Sequence, residues 1–166
     1  MIVSMNIKQL SSNNIDNLKK LTPDIYKPSL HMSIPFFAFH KILFEKGEDI
    51  LSNSHNLTQS ELDVLGALYY GGGEDFSLMP TELYEIMLFS SGGLTKVLKK
   101  LELKEYIKRF DSKEDKRVKI VQITKQGKEI TQKALLEVIS YEEQYFSKLD
   151  DNEQKEFSRL LYKMLD

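Results

Sequence analysis

The chain has 166 residues, 41% of them apolar and 29% charged, with a formal net charge of −2. That length bounds it to one domain or two small lobes, and the balance excludes a disordered polyelectrolyte. The absence of cysteine excludes a disulfide framework, a thiolate zinc site and a thiol switch.

The opening MIVSMNIKQLSSNN has no basic segment leading into an apolar core, so no secretory signal is expected. No apolar run approaches the roughly 18 residues of a membrane span. A cytoplasmic protein without membrane contact is the expectation. Residues 1–34 read as an N-terminal arm. Ile15, Leu18 and Leu21 lie at helical spacing there, and Pro23, Pro28 and Pro35 break up the stretch after Leu21. From Phe36 to Ser52 the pattern predicts a helix with Phe36, Phe39, Leu43 and Ile50 near one stripe and Gly47 inside it.

Thr58 and Glu61 predict a capping box ahead of Leu62, Leu65, Leu68 and Tyr69, and Gly71-Gly72-Gly73 stops that helix. Pro80 fits the first position of a short helix through Leu83, Ile86 and Met87. A helix over 91–104 comes next. At 100° per residue, Val97, Leu98 and Leu101 fall within about 60° of Leu94, with Gly92, Lys96, Lys99 and Lys100 on the opposite side. Two short strands are predicted over 106–110 and 118–123, joined by a charged hairpin tip over 111–117. Thr124 caps a long helix to about Leu149, with Ile130, Ala134, Val138, Tyr141 and Tyr145 along one stripe. Asp150 or Asp151 caps a last helix carrying Phe157, Leu160, Leu161, Met164 and Leu165.

Charge along this chain is sorted by segment. Residues 56–90 contain no Lys or Arg, whereas 91–125 carry eleven basic residues against five acidic ones. A net-negative protein offers nucleic acid no global attraction, so only such a local excess attracts phosphate. Helix, helix, lysine-faced helix and basic hairpin is the winged helix-turn-helix order, which places the third helix in a DNA major groove. Ser90, Ser91, Gly92 and Gly93 supply close approach and phosphate-binding groups at its start. Thr95 and Lys96 are placed toward base edges, and Lys99 and Lys100 nearer the backbone. In the hairpin, Lys113 and Lys116 add charge, Arg117 is the candidate for minor-groove insertion, and Asp115 is placed to orient its guanidinium. On spacing alone, an ordinary solvated face and a soluble loop remain open for both segments.

The motifs SSGGLTKVLKKLE, YIKRFDSKEDKR and VQITKQGKE decide between these readings, because together they resemble the MarR family of bacterial transcriptional regulators. The resemblance runs from about Phe36 to Leu149 and is strongest over 80–127, where Asp115 and Arg117 match the Asp-x-Arg wing signature. Thr124 and Gly127 match the start of the following helix. One departure is Glu105, where the family usually has glycine between recognition helix and wing. The resemblance implies a homodimer that binds a pseudo-palindromic operator in double-stranded DNA, more often as repressor than activator. It also implies release by a small aromatic or anionic ligand.

The expected fold class is mainly α with a small antiparallel β-wing. A winged helix-turn-helix lobe over 58–123 joins a helical dimerisation region over 35–57 and 124–166. Phe36, Phe39, Tyr69 and Tyr70 are candidates for a ligand pocket, with plain core as the competing reading. His31, His40 and His55 are too widely spaced to suggest a metal site. No nucleophile elbow, phosphate loop or dinucleotide fingerprint is present, so neither a cofactor nor catalysis is expected. The alternative function is a winged-helix protein-interaction module that does not bind operator DNA.

Overall fold

A computed structural model describes residues 7–87, 93–112 and 118–165. The chain forms two compact units, residues 1–47 and 48–166. In the first unit, α1 (Ile7–Leu21) is followed by a turn and the opening of α2 (Leu30–His55), a helix that ends in the second unit. Ile15 is buried, whereas Leu21 is exposed, so only part of the expected arm stripe is covered. The second helix begins at Leu30, earlier than the pattern suggests, with Pro35 inside it. Its first bonds run three residues back, from the amides of Leu30 and His31 to the carbonyls of Lys27 and Pro28. A proline this near the start removes one donor without ending the helix.

In the second unit the order is α3 (Gln59–Gly66), a π-helical turn (Ala67–Gly71), β1 (Ser77–Leu78), α4 (Pro80–Ile86) and α5 (Leu94–Leu103). Strands β2 (Ile107–Asp111) and β3 (Lys119–Ile123) and helices α6 (Lys125–Phe146) and α7 (Asp151–Leu165) complete it. The architecture is mainly α with a small antiparallel sheet in the order β1-β3-β2. Ile107 pairs with Ile123 and Asp111 with Lys119, while Leu78 pairs with Val121. Leu65, Leu68, Leu83, Leu101 and Val121 are buried at the centre of one core formed by α3, α4, α5 and the sheet.

Local capping rules account for most helix starts. The Thr58 hydroxyl accepts from the Glu61 amide at 3.3 Å, and a Glu61 carboxylate oxygen accepts from the Thr58 amide at 2.9 Å. The Thr124 hydroxyl accepts from the Gly127 amide, and Asp150 Oδ1 accepts from the amides of Asn152 and Glu153.

The turn from α5 into β2 is held from two sides. Tyr106 N–H donates to the Leu101 carbonyl and Glu105 N–H to that of Glu102, each at 3.0 Å, which is the Schellman pattern. The residue between is Glu105 at φ 61°, so it adopts the left-handed conformation that a glycine would take there. Thr124 then ties this turn to α6, its hydroxyl donating to the Glu105 carbonyl and its amide to that of Tyr106. The close approach explains Gly127, because a Cβ there would lie 2.1 Å from the Tyr106 oxygen.

Glu105→Gly removes a left-handed strain of about 1–2 kcal/mol. It also adds about 0.5–1 kcal/mol of unfolded-chain entropy. Urea denaturation is therefore expected to show a net gain of about 0.5–1 kcal/mol with an unchanged m-value.

Candidate nucleic-acid interface

Helix α5 is positioned by its leucines. Leu94, Leu98 and Leu101 are buried, and the helix packs on α3 and β2. It starts at Leu94 because Gly93 caps it in the left-handed region, at φ 90°, with its carbonyl accepting from the amides of Lys96 and Val97. A Cβ at Gly93 would meet nothing within 4 Å, so the conformation rather than crowding asks for glycine. Ser90, Ser91 and Gly92 lie outside the described residues.

Thr95, Lys96, Lys99 and Lys100 are exposed. The 3.6-residue repeat places the three lysines on the face opposite the leucines. Among the described residues none of the three is ion-paired. Leu103, 76% exposed, shares their face; the leucine stripe did not include it, although its helical angle shows it.

Several neighbouring cations are already engaged. Lys104 donates to both carboxylate oxygens of Glu61 at 2.9 Å and to the Asn56 carbonyl at 2.7 Å. Arg109 pairs with Glu102, and its guanidinium holds that carboxyl below the usual range. Lys119 pairs with Asp111 across the hairpin, beside the bond from Ser112 N–H to the Val118 carbonyl at 2.8 Å. The Lys128 ammonium sits 3.1 Å from the centre of the Phe76 ring. Lys108 and Lys125 line an open cavity of about 510 Å³ together with Glu74 and Asp75. The basic excess in the sequence therefore overstates the cations available to a ligand, and three of the described lysines that lack an ion pair, Lys96, Lys99 and Lys100, share one face of α5.

The hairpin residues Lys113, Asp115, Lys116 and Arg117 lie outside the described residues. The four pocket candidates divide between the units. Phe36 and Phe39 stand on α2 in the first, where Phe39 lines an apolar groove with Ile15, Pro35 and Ile42. Tyr69 and Tyr70 belong to the π-helical turn of the second, their rings 4.8 Å apart, with Tyr69 also stacked on Phe76. Among the described residues no cluster of metal-ligating side chains forms, and no helix is long and apolar enough to cross a membrane.

A leucine-anchored, lysine-faced helix followed by an antiparallel hairpin defines a winged helix-turn-helix DNA-binding protein. The family model described as "Transcriptional regulator SarA/Rot" matches residues 48–134. The chain belongs to that family and is a transcriptional regulator of the MarR winged-helix type. It is 29% identical over 112 residues to the HTH-type transcriptional regulator PrsX of Escherichia coli, covering 68% of this chain and 66% of PrsX. An uncharacterised HTH-type regulator of Bacillus cereus is 30% identical over 128 residues, 75% of this chain and 80% of that one. The fold is also that of Sco3205, a MarR family transcriptional regulator from Streptomyces coelicolor solved in complex with DNA. That match has a TM-score of 0.69 at 18% identity, over 79% of this chain and 81% of Sco3205. These relatives are regulators of transcription rather than enzymes.

Gly93→Ala is expected to cost about 1–2 kcal/mol despite the open space around it, because alanine resists this backbone conformation. A thermal melt checks this; an unchanged midpoint would mean that the helix start does not need it.

Proposed function

We propose that the protein is a cytoplasmic homodimer that reads a pseudo-palindromic operator in double-stranded DNA through α5 and the hairpin tip at 111–117. It acts as a repressor, and a small aromatic or anionic ligand releases it. The observation that carries DNA reading is the exposed face of Lys96, Lys99 and Lys100, without acidic partners among the described residues, on a helix whose other face is locked into the core. Thr95 and Lys96, near the α5 start, are assigned to base edges; Lys99 and Lys100, with Lys113 and Lys116, are assigned to phosphates. Ser90, Ser91, Gly92 and Gly93 serve the approach of that helix start to the backbone. Arg117 enters the minor groove and Asp115 orients it.

Uncovered apolar surface on the terminal helices supports dimerisation. Leu136 and Ile139 on α6 are 70% and 54% exposed, and Leu165 on α7 is 82% exposed. None of the residues of α7 is buried. A second copy is the economical cover for such stripes, and a two-fold pair sets its recognition helices about 34 Å apart, one turn of B-DNA. Repression and ligand release rest on the MarR resemblance.

Selection of DNA fragments by the purified protein, followed by footprinting, is expected to return an inverted repeat. Binding to it weakens with salt, with a slope of about −0.9 for each phosphate neutralised. Replacing Lys96, Lys99 and Lys100 together by alanine flattens that slope, and Arg117→Ala weakens binding strongly. A dimer that selects no sequence at any salt concentration would instead support the protein-interaction module.

A further inference from the structure

We infer that Glu61 and Lys104 are a positioning pair for DNA reading, and that Lys104 is not one of the phosphate contacts. The inference rests on reading α5 as the DNA-reading helix, and adds what fixes that helix in direction.

An ammonium group has three N–H donors. Those of Lys104 meet three acceptors, the two carboxylate oxygens of Glu61 and the Asn56 carbonyl, at 2.7–2.9 Å. No donor is left for a phosphate. Glu61 in turn is 1% exposed and accepts from the Thr58 amide that opens α3. Lys104 is the C-cap of α5, at the far end from Gly93. One side chain therefore joins the end of α2, the start of α3 and the end of α5.

A buried ion pair adds little net stability, because desolvation offsets most of its attraction. What it adds is geometry. The leucine face of α5 is apolar and resists tilting only softly, whereas three short polar bonds at one end tolerate little displacement. A ten-residue helix is about 15 Å long, so a swing of about 10° moves its other end by about 2.5 Å. That displacement exceeds the width of the hydrogen-bond range on which base-edge contacts depend.

The test uses the full-length protein, the DNA fragment it selects, and anisotropy titrations at several salt concentrations beside thermal melts. Glu61→Gln with Lys104→Met removes both charges while the new amide oxygen still accepts from the Thr58 amide. This double variant is expected to melt near the wild type and well above Lys104→Met alone, which leaves a buried carboxylate without its counter-charge. It is expected to bind about tenfold or more weakly, at an unchanged salt slope. Lys104→Arg keeps the charge with a different reach, and is expected to fold and to bind weakly at the same slope.

Wild-type affinity in the double variant, given a recovered melt, would overturn the inference. A slope reduced by about 0.9 in either variant would also overturn it, since that marks a lost phosphate contact. Should the double variant melt low, Lys104→Arg decides alone: wild-type binding refutes positioning, and weak binding at constant slope supports it. The triple lysine variant runs in parallel. If that variant binds normally, the reading of α5 is wrong. If it fails while both pair variants bind normally, only the positioning role falls.

Discussion

The arrangement of the second unit depends on a carboxylate held out of water and the half-buried ammonium group that pairs with it. Glu61 sits where a glutamate ordinarily caps a helix in contact with solvent, but here the core closes over it. A charge in that position is tolerated only with a partner and a full set of hydrogen bonds. Lys104 supplies both and, through the Asn56 carbonyl, takes in the end of α2. Asn56 is itself in the left-handed conformation, at φ 52°, which turns the chain from α2 toward α3. The termini of three helices are thus fixed by a few polar groups, while the leucines between them provide most of the burial.

The same logic sorts the cations. A net charge of −2 gives the protein no general attraction for DNA, so selectivity must come from where positive charge is left unneutralised. Lys104, Arg109 and Lys119 are drawn into pairs with Glu61, Glu102 and Asp111, which fasten helix to helix, strand to helix and strand to strand in turn. Lys96, Lys99 and Lys100 are left on the outer face of α5. The unpaired lysines of α5 thus come first in the chain and the paired cations follow them, and the division follows from which carboxylates lie within reach.

Much of the fold was legible because its signals are local. The Thr58–Glu61 box, the Thr124 cap and the leucine period of α5 each lie within a few residues, and each forms as the pattern indicates. What escaped depends on distant chain. Strand β1 is two residues long, too short to show alternation, and exists through pairing with β3. Glu61 and Lys104 are 43 residues apart, so nothing near either residue announced the pair. The Asp111–Lys119 pair was more accessible, because the hairpin register sets those two residues opposite each other. At the candidate interface, the helical wheel separated lysines from leucines correctly but passed over Leu103. At Glu105 the sequence showed a departure from glycine without showing its outcome; the Schellman bonds hold the glutamate in the glycine conformation.

The central claim is that the outer face of α5 meets the DNA. Because the chain has no cysteine, a single introduced thiol can carry a photo-crosslinker at one chosen site. A probe at Thr95→Cys is predicted to cross-link to bases within the selected fragment, while one at Lys133→Cys on α6 gives no adduct. Adducts from the α6 probe and none from Thr95→Cys would contradict the account.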